Sequence, residues 1–269
     1  MNKKAAWKYR LLLAAGFIGP FILQATDQTV DGKLTVNQDL KAGASGAANL
    51  EFRADGTLIS KGAYTGNNVL TSGEQGTGVR FLWYPDKIAL RAGYGYGSLW
   101  DDSNIGIGSV GLGHHNLASG YGSIALGYEA TATGQFSLAS AGSTVPGYAS
   151  VGFGYSYASG WASMACNNAD AYGDFSAAFG CGGIADGFAS AAFGEGTLAQ
   201  ASHSFAVGRF NVSGGNNTSW VSTDPLFEVG NGTPETASDA FVVYKNGNAA
   251  FQGVVQAAPG GDIPMFSGP

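Results

Sequence analysis

The side chains able to do chemistry are few, and they are scattered. The chain has three histidines, His114, His115 and His203, and two cysteines, Cys166 and Cys181. The two neighbouring histidines stand far from the third, and none has a cysteine or acidic residue at the spacing that a tetrahedral metal site needs. Asp170, Asp174 and Asp186 recur at intervals that suggest one acidic column. A solvated, aggregation-resisting face explains such a column without a ligand. No nucleophile is set beside a base, and the many Gly-x-Gly pairs lack the strand–turn–helix context of a phosphate loop. These residues therefore predict no catalytic site, no metal and no cofactor.

What must position them is a repeat. Between Ser109 and Gly208 a five-residue phrase, Ser-x-Ala/Gly-x-Gly, occurs eight times with small lapses at its end. Its serines are Ser109, Ser123, Ser137, Ser150, Ser163, Ser176, Ser190 and Ser204, spaced 13 or 14 residues apart. A fixed short period held over eight copies is the mark of a solenoid, in which each unit packs only on its neighbours. Within a phrase, small residues alternate with bulky ones such as Ile124 and Leu126 or Val151 and Phe153. Period two is that of a β-strand with two unlike faces. A second stretch of small residues, such as Ala130–Gly134, supplies another strand per coil, and glycine-rich corners join the two.

Such a flat coil has little interior. The alternation predicts that the bulky face is turned to a core and that the Ala/Gly face admits the backbone of another chain. Several chains sharing one core is the expected assembly, three in preference to two, although symmetry allows both. The cysteines occupy adjacent coils, Cys166 in a bulky slot and Cys181 two positions further along. That offset separates them by about 8 Å, beyond comfortable disulfide reach.

The flanks are also β. Residues 1–25 read as a signal peptide: Lys3, Lys4, Lys8 and Arg10 precede the apolar run Leu11–Leu23, with Gln24-Ala25 a plausible cleavage site. Residues 26–92 form an N-terminal β-hairpin region with turn dipeptides at Asp31-Gly32 and Asp55-Gly56. The roll covers 93–212. Tyr94, Tyr96 and Trp100 are expected to plug its first open coil, since a bare solenoid end templates aggregation. Residues 213–269 form a C-terminal β cap and flexible tail, with a type I′ turn expected at Asn246-Gly247.

Charge narrows the function. Four of the thirteen basic residues lie in 1–25, so nine remain against nineteen acidic ones once that segment is removed. Within 101–212, seven acidic residues face only Arg209. Nucleic acid is thus an unsuitable partner. With 44 glycines and only 12% charged residues, the composition fits an extended, ordered all-β protein.

The phrase SIALG at Ser123 with its connector ATATG at Ala130 resembles the head repeat of trimeric autotransporter adhesins of the YadA type. Trp83-Tyr-Pro-Asp-Lys87, Arg91-Ala-Gly93, Trp100–Gly106, Leu226–Gly232 and Ala240–Asn248 are similar to flanking phrases of secreted bacterial head-repeat proteins. The resemblance covers most of residues 79–252. It implies a left-handed parallel β-roll, or β-solenoid, of about eight 13–14-residue coils with β-hairpin caps at both ends. It further implies a homotrimer at the cell surface or outside the cell, acting in adhesion rather than catalysis.

No heptad stalk, neck or outer-membrane strands are recognisable, so no membrane anchor of the chain's own is predicted. A purely structural fibre or matrix protein, or a phage-type receptor-binding fibre, is the alternative; the export signal argues against a phage part. For an adhesin the ligand would be an extracellular-matrix protein or a glycan. If the strands turn their bulk to the core, recognition falls to the corners. His114, His115, Tyr128, Tyr155 and Tyr157 are the candidate ligand-binding residues, with Asn116, Asn168 and Glu195 beside them. The same residues could equally serve only to complete the corners.

Overall fold

The computed structural model describes residues 40–44, 47–52, 58–60, 70 and 75–253; the expected signal peptide, the first hairpin and the tail lie outside them. The chain divides into two compact units, residues 1–61 and 62–269. In the first, Leu40–Ala44, Ala47–Phe52 and Leu58–Ser60 pair as an antiparallel three-stranded sheet.

The second unit is an all-β solenoid. Each coil has a long strand of three to five residues, beginning just after the phrase serine, and a short strand of two residues. Eight long strands run from Val110–His114 to Phe205–Arg209, and seven short ones from Leu117–Ala118 to Leu198–Ala199. Eight phrases thus close seven full coils. Neighbouring coils pair in parallel and in register, phrase on phrase.

The facing of the strands is the reverse of the expectation. The small residues point inward. Ala125, Ala139, Ala165, Ala178, Ala192 and Ala206 are buried, and they meet Ala118, Ala132, Val145, Ala158, Ala171, Ala185 and Ala199 from the short strands. The bulky residues point outward and, Cys166 apart, stay at least partly exposed. The gap between the two sheets holds little more than a methyl group from each side. Where Val145 enters it, the opposite residue is Gly152, whose added Cβ would lie 2.6 Å from a Val145 methyl. The small face therefore packs within one chain and does not receive another chain's backbone.

The phrase serine lies at the start of the long strand and is buried in every coil. At six of the eight it ends a four-residue turn closed by its N–H to the carbonyl of the residue three before, as in Ser123 to Gly120 and Ser176 to Gly173, whereas the Ser163 N–H goes to the Ser150 hydroxyl. The hydroxyl bonds the same carbonyl at Ser109, Ser137, Ser163 and Ser204. The left-handed third position of this turn is glycine only at Gly108 and Gly122; elsewhere Phe136, Ala149, Ala162, Phe175, Ala189 and His203 occupy it. The turn's first glycine is needed for a different reason: close approach. A Cβ on Gly120, Gly134 or Gly160 would come within about 2.0 Å of the next coil's carbonyl oxygen.

At the opposite corner the one-residue variation in period is absorbed. The 13-residue coils turn on two consecutive left-handed residues, such as Gly154-Tyr155 and Asn167-Asn168. The 14-residue coils insert one residue between two positive-φ positions, as in Gly127-Tyr128-Glu129.

Both ends of the roll are closed. Ala89–Gly95 pairs in parallel with Val110–His114 and carries Gly78–Tyr84 antiparallel on its outer edge. Trp100 is fully buried and donates its indole N–H to the Asn116 carbonyl at 3.0 Å. Tyr94 and Tyr96 do not join it in a plug; they lie at the corner beside the histidines. The other plug is Arg91, which occupies the inward slot one coil before Gly111. Its guanidinium donates to the Ser109 hydroxyl and the Ala118 carbonyl, both at 2.8 Å. Burial lowers its pKa to about 10.

At the far end Pro225–Asn231 adds in parallel, followed by Asp239–Tyr244 and Ala249–Phe251 antiparallel. Here Glu228 takes the inward slot after Ala206. Asn211 completes the short sheet with its side chain, accepting from the Leu198 N–H and donating to the Leu198 carbonyl. The last hairpin closes through Gly247 N–H to Tyr244 carbonyl, with only Gly247 left-handed. That is a three-residue loop with a glycine bulge rather than a type I′ turn, which needs two positive φ values.

Candidate functional site

The corner that follows each long strand carries most of the residues expected to bind. Tyr94, His114 and Tyr128 occupy one register position on three successive strands. Coil stacking therefore turns them into a stack of rings. Tyr94 and His114 lie 5.0 Å apart between centroids, and His114 and Tyr128 lie 5.2 Å apart with planes 7° from parallel. His115 tucks beside this stack, 3.9 Å from His114, and Tyr96 covers its other side at 5.2 Å. The left-handed φ of His115 swings its ring to this side. Glu129 lies 3.8 Å from the His115 Nδ1. Hydrogen bonding to Glu129, and then the charge of that carboxylate, hold the Tyr128 phenol above its ordinary pKa.

The other expected residues do not join this cluster. Tyr155 is exposed at the same corner two coils further on. Tyr157 lies on the outer face of the short sheet, with Tyr172 at 5.7 Å. Asn116 is fully buried: its amide donates to the Leu112 and Gly127 carbonyls and accepts from Ala130 N–H. It completes the first coil and presents nothing outward. Asn168 and Glu195 are exposed on the cluster's side, further along the roll. The three aspartates form no single column. Asp170 and Asp186 belong to the short-strand side, whereas Asp174 sits in a turn and accepts the Trp161 N–H at 2.8 Å. Both cysteines are free thiols, Cys166 buried and Cys181 exposed.

The serine-side corner holds a second set of rings that the sequence pattern had hidden. Tyr121, Phe136, Tyr148 and Trp161 follow one another at centroid separations of 5.3, 5.6 and 5.9 Å. Phe175, Phe188, His203 and Trp220 continue the row at 4.9, 5.6, 5.3 and 5.8 Å. The ring stands at the second position of the turn in some coils and at the third in others, so no strict period marks it. The searchable signal is one aromatic or histidine within each Gly-x-x-Ser turn from Gly120 onward, with Ala201 replacing the glycine in the last.

A third row, on the outward face of the long sheet, runs through Phe179, Phe193, Phe205 and Phe227 at 4.8, 5.4 and 5.6 Å. It crosses two outward columns: Phe179 and Phe193 are in register with Phe153 and Cys166, whereas Phe205 and Phe227 are in register, through Ala177 and Ala191, with Ile124, Leu138, Val151 and Met164 of earlier coils. Among the described residues, no cluster of histidine, cysteine and acidic side chains is arranged to hold a metal ion.

The family model described as the YadA head domain repeat matches twice, at residues 105–130 and 118–140. Those residues are the first coils of the roll, with the Ser123 phrase at their centre. The chain carries YadA-type head repeats. Its head repeats, recognised by the family model in two copies, continue structurally through Arg209 with the same register. They make the chain a β-solenoid of the bacterial adhesin type. A search of curated proteins found no match for the head-repeat chain.

Proposed function

We propose that this head-repeat protein is an exported, non-enzymatic adhesion module that acts as a homotrimer outside the cell or at its surface, with residues 1–25 as its export signal. One observation carries the reading. The coil interior is filled by alanine, glycine and serine, so the large apolar and aromatic side chains of the repeat are turned outward. A protein that places its bulk on the surface has built that surface for contact.

Two contacts are assigned. The outward face of the long sheet, from Ile124 to the phenylalanine row, packs against the equivalent faces of two further copies, since half-exposed apolar columns of this length are removed from water by association. The Tyr94–His114–Tyr128 stack remains at a corner, where ring faces and polar edges suit a glycan or an extended segment of matrix protein. His115 and Tyr155 belong to the same corner, while Tyr157 contributes from the neighbouring face.

Light scattering on the purified mature chain tests the assembly: a stable folded monomer at micromolar concentration refutes the trimer. Binding to a panel of matrix proteins and glycans tests the function. The double change His114→Ser and Tyr128→Ser should leave the trimer folded and reduce retention on whichever surface holds the wild type. Undiminished retention would remove the stack from the binding site.

A further inference from the structure

We propose that the row of rings on the serine-side corner is a binding track for a neutral, linear, β-linked polysaccharide. The proposal rests on the chain being a binding module but not on the His114–Tyr128 stack, which lies at the opposite corner. Three properties of the row support it.

The rings are open to solvent. The aromatic residues from Tyr121 to Phe188, and Trp220 at the end, are between 37% and 56% exposed. No packing role within the chain accounts for that much uncovered ring surface in consecutive coils. Their support is also rigid. In successive turns the N–H of the third residue bonds the preceding coil's carbonyl at 2.7 to 2.8 Å, as in Phe136 to Tyr121, Ala162 to Tyr148 and Phe175 to Trp161. The backbone thus holds the rings before any ligand arrives, which lowers the ordering cost of binding.

The spacing suits a polymer whose own repeat is short and regular. Adjacent centroids are 4.9 to 5.9 Å apart, a step comparable to the advance of an extended β-linked chain per hexose. Phe136 stands nearly perpendicular to both Tyr121 and Tyr148, and Phe175 likewise to Trp161 and Phe188. Within each of these triplets the middle ring is thus turned edge-on to both of its neighbours, so the orientation changes from one coil to the next. A chain with a two-fold screw presents the same sugar face every second unit, so alternate sugars would meet ring faces and intervening ones ring edges. The apolar C–H face of a hexose stacks on such rings through the same preference that governs aromatic contacts.

The polar groups beside the rings select against charge. Asp174 is anchored by the Trp161 N–H, and Asp186 is bonded at 3.3 Å by the amide of Asn217, whose carbonyl accepts from Phe188 N–H. These carboxylates and amides accept hydrogen bonds from sugar hydroxyls. They repel an acidic polymer.

The test is affinity electrophoresis of the intact purified protein in gels containing hydroxyethylcellulose, carboxymethylcellulose or gelatin. The expected result is retardation by hydroxyethylcellulose, weaker retardation by the carboxymethylated chain, and none by gelatin. Tyr148→Ala with Trp161→Ala should weaken the first by roughly tenfold, two stacking contacts each contributing on the order of a few-fold. Circular dichroism confirms that the variant is folded. Should the double change not fold, Tyr148→Ser alone serves in its place, and cellohexaose titrated into the wild type reads the same site through tryptophan emission. His114→Ser/Tyr128→Ser should be retarded like the wild type, which separates failure of the track from failure of the other corner. Unretarded wild type, equal retardation of the Tyr148→Ala/Trp161→Ala variant, or retention by gelatin that this variant loses, each overturns the proposal.

Discussion

Replacing Glu228 with glutamine should remove a pH dependence that the wild type carries. Glu228 fills the inward slot at the last coil, where burial, reinforced by the Asp239 charge, raises its pKa to about 8. In the unfolded chain the same carboxyl titrates near its ordinary value, about 4.3. Between those two values the folded state binds one proton more than the unfolded state. Stability from this group is therefore fully present below the unfolded pKa and declines as pH rises, by about 1.4 kcal/mol per pH unit, until it is lost near pH 8. Across that window the change is of the order of a few kcal/mol per chain. For a domain of this size it corresponds to roughly 10 °C in melting temperature. Glutamine keeps the shape and has no proton to lose. Thermal melts followed by circular dichroism from pH 5 to pH 8.5 should give similar midpoints for the two proteins at the acid end and a more stable variant at the alkaline end. Parallel curves would refute the reasoning, because they would mean that Glu228 reaches solvent in the folded state.

Three further outcomes follow from the inward column. Ala125→Glu places a carboxylate in the alanine core and should abolish folding of the coil itself, costing several kcal/mol, whereas exposed Tyr128→Glu should melt close to the wild type. Equal melting temperatures would mean that the faces are assigned wrongly. Gly160→Ala drives a methyl to within 2.0 Å of the Gly173 carbonyl and should lower stability by about 1–3 kcal/mol, while Gly214→Ala, with open space around it, should be neutral. Arg91→Met retains much of the plug's bulk but removes its bonds to Ser109 and Ala118; on the order of 1–3 kcal/mol should be lost in urea unfolding, and no loss would show that water replaces the guanidinium.

What the sequence determined by itself was the architecture. The 13–14-residue period, the alternation within each phrase and the serine at each strand start led to parallel stacked coils, because a short period allows each residue to pair only with its copy one turn away. The YadA-type head repeat was legible for the same reason, since SIALG and its connector are the pieces the coil geometry constrains most. The identity of the inward face was not legible. Alternation says that two faces differ, and in most sheets the bulky one is buried. Here the two sheets lie so close that the gap is filled almost wholly by Ala, Gly and Ser, which inverts the usual order; the one valine, Val145, fits only because Gly152 stands opposite it.

The same applies to the charged plugs. Arg91 and Glu228 become inward residues only when Leu90–Gly93 is aligned with Val110–Gly113 and Phe227–Gly230 with Phe205–Gly208, a register that strand pairing imposes and sequence order does not. The aromatic rows were the least visible of all. Phe136 and Tyr148 occupy different positions of their turns, so the sequence shows no repeat. The turn backbone brings both rings to one edge, and stacking of the coils then makes them neighbours. Tertiary structure decided what faces water because the coil is thinner than the side chains it carries.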